Sequence, residues 1–233
     1  MTPDPDRVWE LAEKAIGRYP YTLLHGPGGT GKTGTIIRKL RERGENPLNL
    51  YITPEASAAE VLGMMVPNEG GGFSYHYGPG ALAWINGWPI VINEVDDATG
   101  DAETALLGLL DDPDIAELTL TNGEVIRPKP GFSAVGTMNS DPDALRPVLA
   151  DRFPIRIRCE TIHPAAVETL PEDLRPAVRR AAHAQDERQQ SIRPWHAFSV
   201  ARDEWDVTVE EAAFLVWQEG GTDILNQIRM AGD

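Results

Sequence analysis

The sequence predicts an α/β domain over residues 1–160 followed by a small all-helical one over 161–233. Three observations predict it. Gly26-Pro27-Gly28-Gly29-Thr30-Gly31-Lys32-Thr33 fits G-x-x-x-x-G-K-[ST], the phosphate-binding loop, with a strand-like run before it and a helical run after it. Four further runs of strand length alternate with helical stretches. After Cys159 no convincing strand follows, and the boundary falls near residues 159–164.

Asp6 to Gly17 has helical spacing, with Val8, Leu11, Ala12 and Ala15 on one face, and Trp9 is open to two readings, core filler before a base-stacking residue. Tyr21-Thr22-Leu23-Leu24-His25 is the first strand, and Thr33 to Arg43 is a helix with Ile36, Ile37 and Leu40 on one side. Leu48 to Ile52 is a second strand. Thr53-Pro54-Glu55 reads as a helix start, with a threonine cap, proline at the first helical position and an acid near the positive end. That helix should end near Gly63. Residues 64–80 carry Gly70-Gly71-Gly72, Phe73, Tyr75, His76 and Tyr77, either a hairpin with locally packed aromatics or an insertion that presents them to a partner. Ala81 to Ile85 continues as a short helix. Pro89 to Asn93 is a buried-strand run ending at Asn93-Glu94, and Glu103 to Leu110 is helical. Asn122-Gly123 marks a hairpin turn, Phe132 to Met138 is a fourth strand ending at Asn139, and Pro154 to Arg158 is a fifth. Beyond it, Pro171 to Gln190 is helical and charged, Ser191 starts a helix, and Thr208-Val209-Glu210-Glu211 is a capping box.

The composition, with 41% hydrophobic and 24% charged residues, suits a globular protein with a sizeable core. No apolar run approaches membrane-spanning length, Met1 to Asp6 lacks the features of a signal peptide, and the single Cys159 fits a reducing cytoplasm, so no membrane role and a cytoplasmic location are expected. The net charge of −15 is shared by both halves, which argues against nucleic acid as the main partner.

The chemistry gathers where strands end. The glycines let backbone N–H groups turn around phosphate oxygens; Lys32 would reach the β- and γ-phosphates and the Thr33 hydroxyl would ligate Mg²⁺. Anhydride hydrolysis also needs a group that activates water and further positive charge. Glu94 is placed to polarise water, Asn139 to hold that water or sense the γ-phosphate, and Arg152 to act on a neighbouring subunit's nucleotide. Each has a bland reading as well: a solvated acid, a turn residue, an ion pair with Asp151.

In order and spacing these features resemble the AAA+ ATPases, specifically the MoxR-like group. Gly26 to Thr33 corresponds to Walker A, Ile90 to Glu94 to Walker B, Gly136-Thr137-Met138-Asn139 to sensor 1, Asp151-Arg152-Phe153 to the arginine-finger region and Ser191-Ile192-Arg193 to sensor 2. The insertion at 64–77 sits where these proteins interrupt their second helix, and the 117–128 hairpin where they carry one before sensor 1. The resemblance implies a P-loop αβα sandwich with a five-stranded parallel sheet in the order 5-1-4-3-2, a helical lid, and a ring-shaped homo-oligomer, usually a hexamer. It implies that ATP turnover with Mg²⁺ remodels or activates a protein client, with a von Willebrand factor A domain protein as a frequent partner. Carried over residue by residue, the nucleotide would be held by Gly26, Pro27, Gly28, Gly29, Thr30, Gly31, Lys32, Thr33, Gly34 and Arg193. The catalytic set would be Glu94, Lys32, Asn139 and Arg152, and the metal residues Thr33 and Asn93.

One residue departs from the pattern. The family usually has Asp before the Walker B glutamate, and this chain has Asn93, which can hydrogen-bond a metal-bound water but adds no charge. An ATP-binding scaffold or switch with little hydrolysis is therefore an alternative. A GTP-using McrB-like motor subunit is another, because Gly136-Thr137-Met138-Asn139-Ser140 resembles that group's signature. A small-molecule kinase is a weaker one, for want of an acceptor site.

Overall fold

The computed structural model describes residues 4–181 and 191–232. The chain divides into two compact units. One holds Glu10–His25 and Thr33–Arg158; the other holds the described residues of Met1–Trp9, Gly26–Lys32 and Cys159–Asp233.

Helix α1 (Pro5–Ala15) is followed by β1 (Tyr21–His25). The residues it buries are Trp9 and Ala12, with Ile16 just beyond, whereas Leu11 is 39% exposed. The inward stripe is thus rotated from the expected Val8-Leu11-Ala12-Ala15 face, because a stripe through Trp9 and Ile16 removes more apolar surface from water. β1 is buried at every position, as a strand covered on both faces should be. The glycine loop leads into α2 (Lys32–Glu42), which buries Ile36 and Leu40, and then to β2 (Leu48–Tyr51).

The helix expected to begin at Thr53-Pro54-Glu55 begins instead with α3 (Ala58–Leu62), with Ser57 as its N-cap residue. Residues 53–56 close a turn in which the Ala56 N–H donates to the Thr53 carbonyl at 2.9 Å. Proline's fixed φ suits the second position of such a turn as well as the first of a helix. Glu60 accepts from the Ser57 N–H at 3.2 Å and so anchors the start one turn later. Next, β3 (Gly63–Pro67) and β4 (Phe73–Tyr77) pair as an antiparallel hairpin at the insertion, ahead of α4 (Pro79–Asn86). β5 (Pro89–Asn93) and α5 (Gly100–Leu109) follow, then β6 (Leu118–Thr119) and β7 (Val125–Ile126) as the second hairpin, around Asn122-Gly123. β8 (Ser133–Met138), α6 (Pro147–Asp151) and β9 (Ile155–Arg158) complete this unit.

The sheet runs β2-β5-β8-β1-β9, with every neighbouring pair parallel. The strand numbers carry the two hairpins; the sheet strands alone, taken in chain order, run 5-1-4-3-2. Leu23, Ile90, Ile92, Ala134 and Met138 pack with Trp84, Leu106 and Leu109 in its core. Since the strands are parallel, His25, Asn93 and Met138 all end on one edge of the sheet, where ligands of open α/β sheets bind.

The other unit contains α7 (Pro164–Val167), α8 (Arg175–Ala181), α9 (Ile192–Glu204), α10 (Val209–Trp217) and α11 (Gly221–Gly232). Its core joins Leu170, Leu174, Val178, Trp195, Phe198 and Trp217. The Thr208 capping box is formed: the Glu211 N–H donates to Thr208 Oγ1 at 3.2 Å and the Thr208 N–H to Glu211 Oε2 at 2.7 Å. Of the helix expected over Pro171 to Gln190, α8 is the described part, and the positions from 182 to 190 lie outside the described residues. Among the described residues, no helix is long and apolar enough to cross a membrane.

Candidate nucleotide site

The loop Gly26–Lys32 has the backbone that its glycines foretell. Gly26, Gly29 and Gly31 have φ of +124°, +77° and +102°. A Cβ on Gly26 would stand 2.6 Å from the Cys159 carbonyl oxygen, and one on Gly29 would stand 1.9 Å from Ser191 Oγ. Both positions exclude side chains by conformation and by space. Lys32 is buried, and its Nζ donates to the Gly26 and Pro27 carbonyls at 2.7 and 2.8 Å. Two segments after Cys159 fasten the loop. The His163 N–H donates to the Thr30 carbonyl at 2.9 Å, and the Ile192 N–H to the Gly29 carbonyl at 3.0 Å.

That second bond seats the start of α9 on the loop, with Arg193, which is exposed, one residue further on. His163 Nδ1 accepts from the Ala165 N–H at 3.0 Å, and the ring lies edge-on to Trp9 at 4.7 Å. Burial pushes the Cys159 thiol up to about 12, so it is a neutral packing group at neutral pH. In the same unit a cavity of about 260 Å³ is lined by Pro5, Asp6, Ile162, Val167, Val178 and Arg179, next in sequence to the His163 contact.

In the sheet unit, four expected residues meet at the carboxyl ends of β5 and β8. Thr33 Oγ1 donates to Asn93 Oδ1 at 2.8 Å, and Thr137 Oγ1 to the same oxygen at 3.3 Å. Asn93 Nδ2 donates to Asn49 Oδ1 at 3.2 Å and to the Leu50 carbonyl at 3.3 Å. Because a carbonyl can only accept, this bond fixes which end of the amide faces Thr33. Asn93 is only 1% exposed, so a complete set of partners is what its burial requires. Beyond the strand, Glu94 takes a left-handed backbone, φ 55° and ψ 51°. Its two carboxylate oxygens accept from Asn139 Nδ2 at 3.1 and 2.9 Å.

Arg152 stands elsewhere. Its NH1 donates to Asp111 Oδ1 at 2.8 Å, and Tyr21 OH donates to the Asp111 carbonyl at 2.6 Å. Tyr21 opens β1, and Arg152 lies three residues ahead of β9, so the guanidinium belongs to the amino edge of the sheet, opposite Glu94. Burial and the Asp111 and Asp112 carboxylates raise the Tyr21 phenol above its ordinary value. The ion pair of Arg152 is thus with Asp111, 41 residues away, and not with the adjacent Asp151. Asn49 and Asp111 are site residues that sequence reasoning missed, and Thr137, quoted within the sensor 1 run, was given no role of its own. A polar residue interrupting the apolar Leu48-Asn49-Leu50 run was the one available signal.

The family model for the AAA domain, dynein-related subfamily, matches residues 21–153. The chain belongs to this family. The match spans the sheet from β1 to the Arg152 region, and an AAA+ ATPase of MoxR-like type is what the motifs describe. This AAA chain is 31% identical over 137 residues to Protein NorQ of Paracoccus denitrificans, covering 59% of the chain and 50% of NorQ. It is 29% identical over 166 residues to midasin of Dictyostelium discoideum, covering 70% of the chain and 3% of midasin. It therefore spans half of one of these relatives and a small part of the other. In fold it is similar to NtrX of Brucella abortus in complex with ATP, with a TM-score of 0.60 at 15% identity over 97% of this chain and 61% of that one.

The donor set bears on which metal could be held. Among the described residues no group of three or more His, Cys, Asp or Glu side chains could hold a metal ion. A hydroxyl and an amide oxygen are hard, neutral donors of the kind that suit Mg²⁺ kept largely by water and phosphate. Thr33 spends its proton on Asn93, which leaves its lone pairs for a cation. The residues present fit that ion.

Proposed function

We propose that this chain binds ATP with Mg²⁺ and hydrolyses it in a ring-shaped homo-oligomer of six by the family resemblance, in the cytoplasm, to remodel or activate a protein client. A partner with a von Willebrand factor A domain belongs to the same reading. The observation that carries it is the pairing of Glu94 with Asn139 one residue beyond the Thr33–Asn93 contact.

In this reading the glycines from Gly26 to Gly31 admit the phosphates to backbone N–H groups, and Lys32 exchanges its two carbonyl partners for phosphate oxygens. Thr33 would hold Mg²⁺ directly and Asn93 through a water that replaces the longer of its two accepted bonds, the one from Thr137 at 3.3 Å; when bound, the ion supplies positive charge to the phosphate oxygens. Glu94 takes a proton from the attacking water at a carboxylate oxygen, and Asn139 holds that carboxylate in place. The cavity walled by Pro5, Ile162, Val167 and Val178 takes the base, and Arg193 adds charge near the phosphates. Arg152, at the opposite edge of the sheet from Glu94, is suited to a neighbouring subunit's nucleotide.

The test is a mixing experiment. Arg152→Ala and Glu94→Gln subunits are each expected to be inactive alone and to recover phosphate release when combined. A chain that stays monomeric with ATP and is untouched by Arg152→Ala would defeat the reading. Asn93 favours a second reading, an ATP-held scaffold, which predicts tight ATP binding without magnesium-dependent phosphate release. Comparing ATP with GTP turnover decides against or for a McrB-like GTP-using motor.

A further inference from the structure

Asn93 occupies the Walker B position where an aspartate is expected, and the structure around it is matched to an amide. Its oxygen faces two hydroxyl donors, Thr33 and Thr137, and its nitrogen faces two acceptors, Asn49 Oδ1 and the Leu50 carbonyl. All four hydrogen-bonding positions of the amide are used. A carboxylate here would set a second oxygen 3.3 Å from the Leu50 carbonyl, which cannot turn to donate. Asn49 could turn, since its amide has a donor end, and as an exposed residue of the edge strand it is free of core packing. It is therefore the adjustable half of the lock.

We propose that Asn49 is a positioning residue: with the Leu50 carbonyl it holds the Asn93 amide with oxygen toward Thr33, so that Thr33 presents its lone pairs to the metal at a site of neutral protein donors. This rests on the ATP-site reading. Reversed, the amide N–H would donate to Thr33 Oγ1 and take up a lone pair meant for the metal, and the amide oxygen would face the Leu50 carbonyl, acceptor against acceptor. A site built this way takes its cation together with the nucleotide, whose phosphates bring the negative charge that position 93 withholds.

The experiment measures binding of a fluorescent ADP analogue, mant-ADP, in EDTA and in MnCl₂, with free Mn²⁺ followed by electron paramagnetic resonance. Wild type is expected to bind mant-ADP in both, more tightly with Mn²⁺, and to bind Mn²⁺ weakly without nucleotide. Asn49→Leu removes the acceptor and is expected to weaken the Mn²⁺ enhancement about 5-fold while leaving affinity in EDTA unchanged. Asn49→Asp keeps an acceptor and is expected to retain the enhancement. Combined with Asn93→Asp, however, it sets two carboxylates together and should lose the enhancement altogether. The proposal is overturned if Asn49→Leu leaves the enhancement intact, or if Asn49→Asp lowers it as much as Asn49→Leu. It is also overturned if both substitutions shift the EDTA affinity equally, since that marks a general structural role. No mant-ADP binding by wild type under either condition would instead remove the ATP-site reading and this proposal with it.

Discussion

Single side chains decide most of what this site can do. Lys32 is an ammonium lying on two carbonyls of its own loop, so in the proposed reading phosphate binding would be an exchange of hydrogen bonds at a group already in place. Lys32→Ala should weaken mant-ADP binding roughly 10- to 100-fold, the range for a hydrogen bond to a charged group. Glu94→Gln keeps an oxygen for Asn139 Nδ2 but removes the base of the proposed hydrolysis, so on that reading phosphate release should fall roughly 100- to 10,000-fold with nucleotide affinity retained, as paired binding and turnover assays would read. Cys159 is another single-residue case. The fold holds the neutral thiol, pushed up to about 12 against an ordinary 9.0. Its contribution to stability is therefore flat below pH 9 and falls as pH rises from there toward 12. At pH 8 iodoacetamide should leave the native protein unmodified and label it only after denaturation.

The elements show which parts of the structure periodicity can announce. The five sheet strands and the helices around them are legible because burial on one face or both leaves a repeat in the sequence. The loop is legible because glycine at positive φ is a requirement of its backbone. Partners distant in sequence leave no such trace. Nothing local in Asp111 points to Arg152, and nothing in Gly29 points to Ser191, although the second contact is tight enough to bar any side chain. Thr53-Pro54-Glu55 misleads because a proline turn and a proline helix start share their first residues, and the turn's own hydrogen bond decides between them. At this scale the clearest prediction joins the loop to α9. Gly29→Ala combines a left-handed backbone with a clash at Ser191 Oγ, and should lower folding stability by more than the ~1–2 kcal/mol of the conformation alone. Ser191→Gly in the same chain should restore the part due to the clash, as denaturant titrations of the two variants would report.

For the molecule as a whole, the parallel sheet separates its two most consequential charges, with Glu94 past one end and Arg152 before the other. In the ring proposed above, a chain with this layout would receive an arginine from one neighbour and give one to the other. If Arg152 acts on a neighbour as proposed above, Asp111 sets its pose, and Asp111→Ala should leave mant-ADP binding unchanged and lower turnover of the assembled protein by up to about 100-fold, as expected when a group at the reacting centre is displaced by about an ångström. Overall stability carries one further mark of the site. Glu94, at φ 55°, is a non-glycine residue in a conformation that glycine would occupy without strain. Glu94→Gly should therefore raise the unfolding free energy by about 1 kcal/mol and the melting temperature by roughly 2–4 °C, and end the hydrolysis proposed above. Sturdiness and turnover pull this position toward different residues, and a population of variants screened for heat resistance alone would drift away from the glutamate.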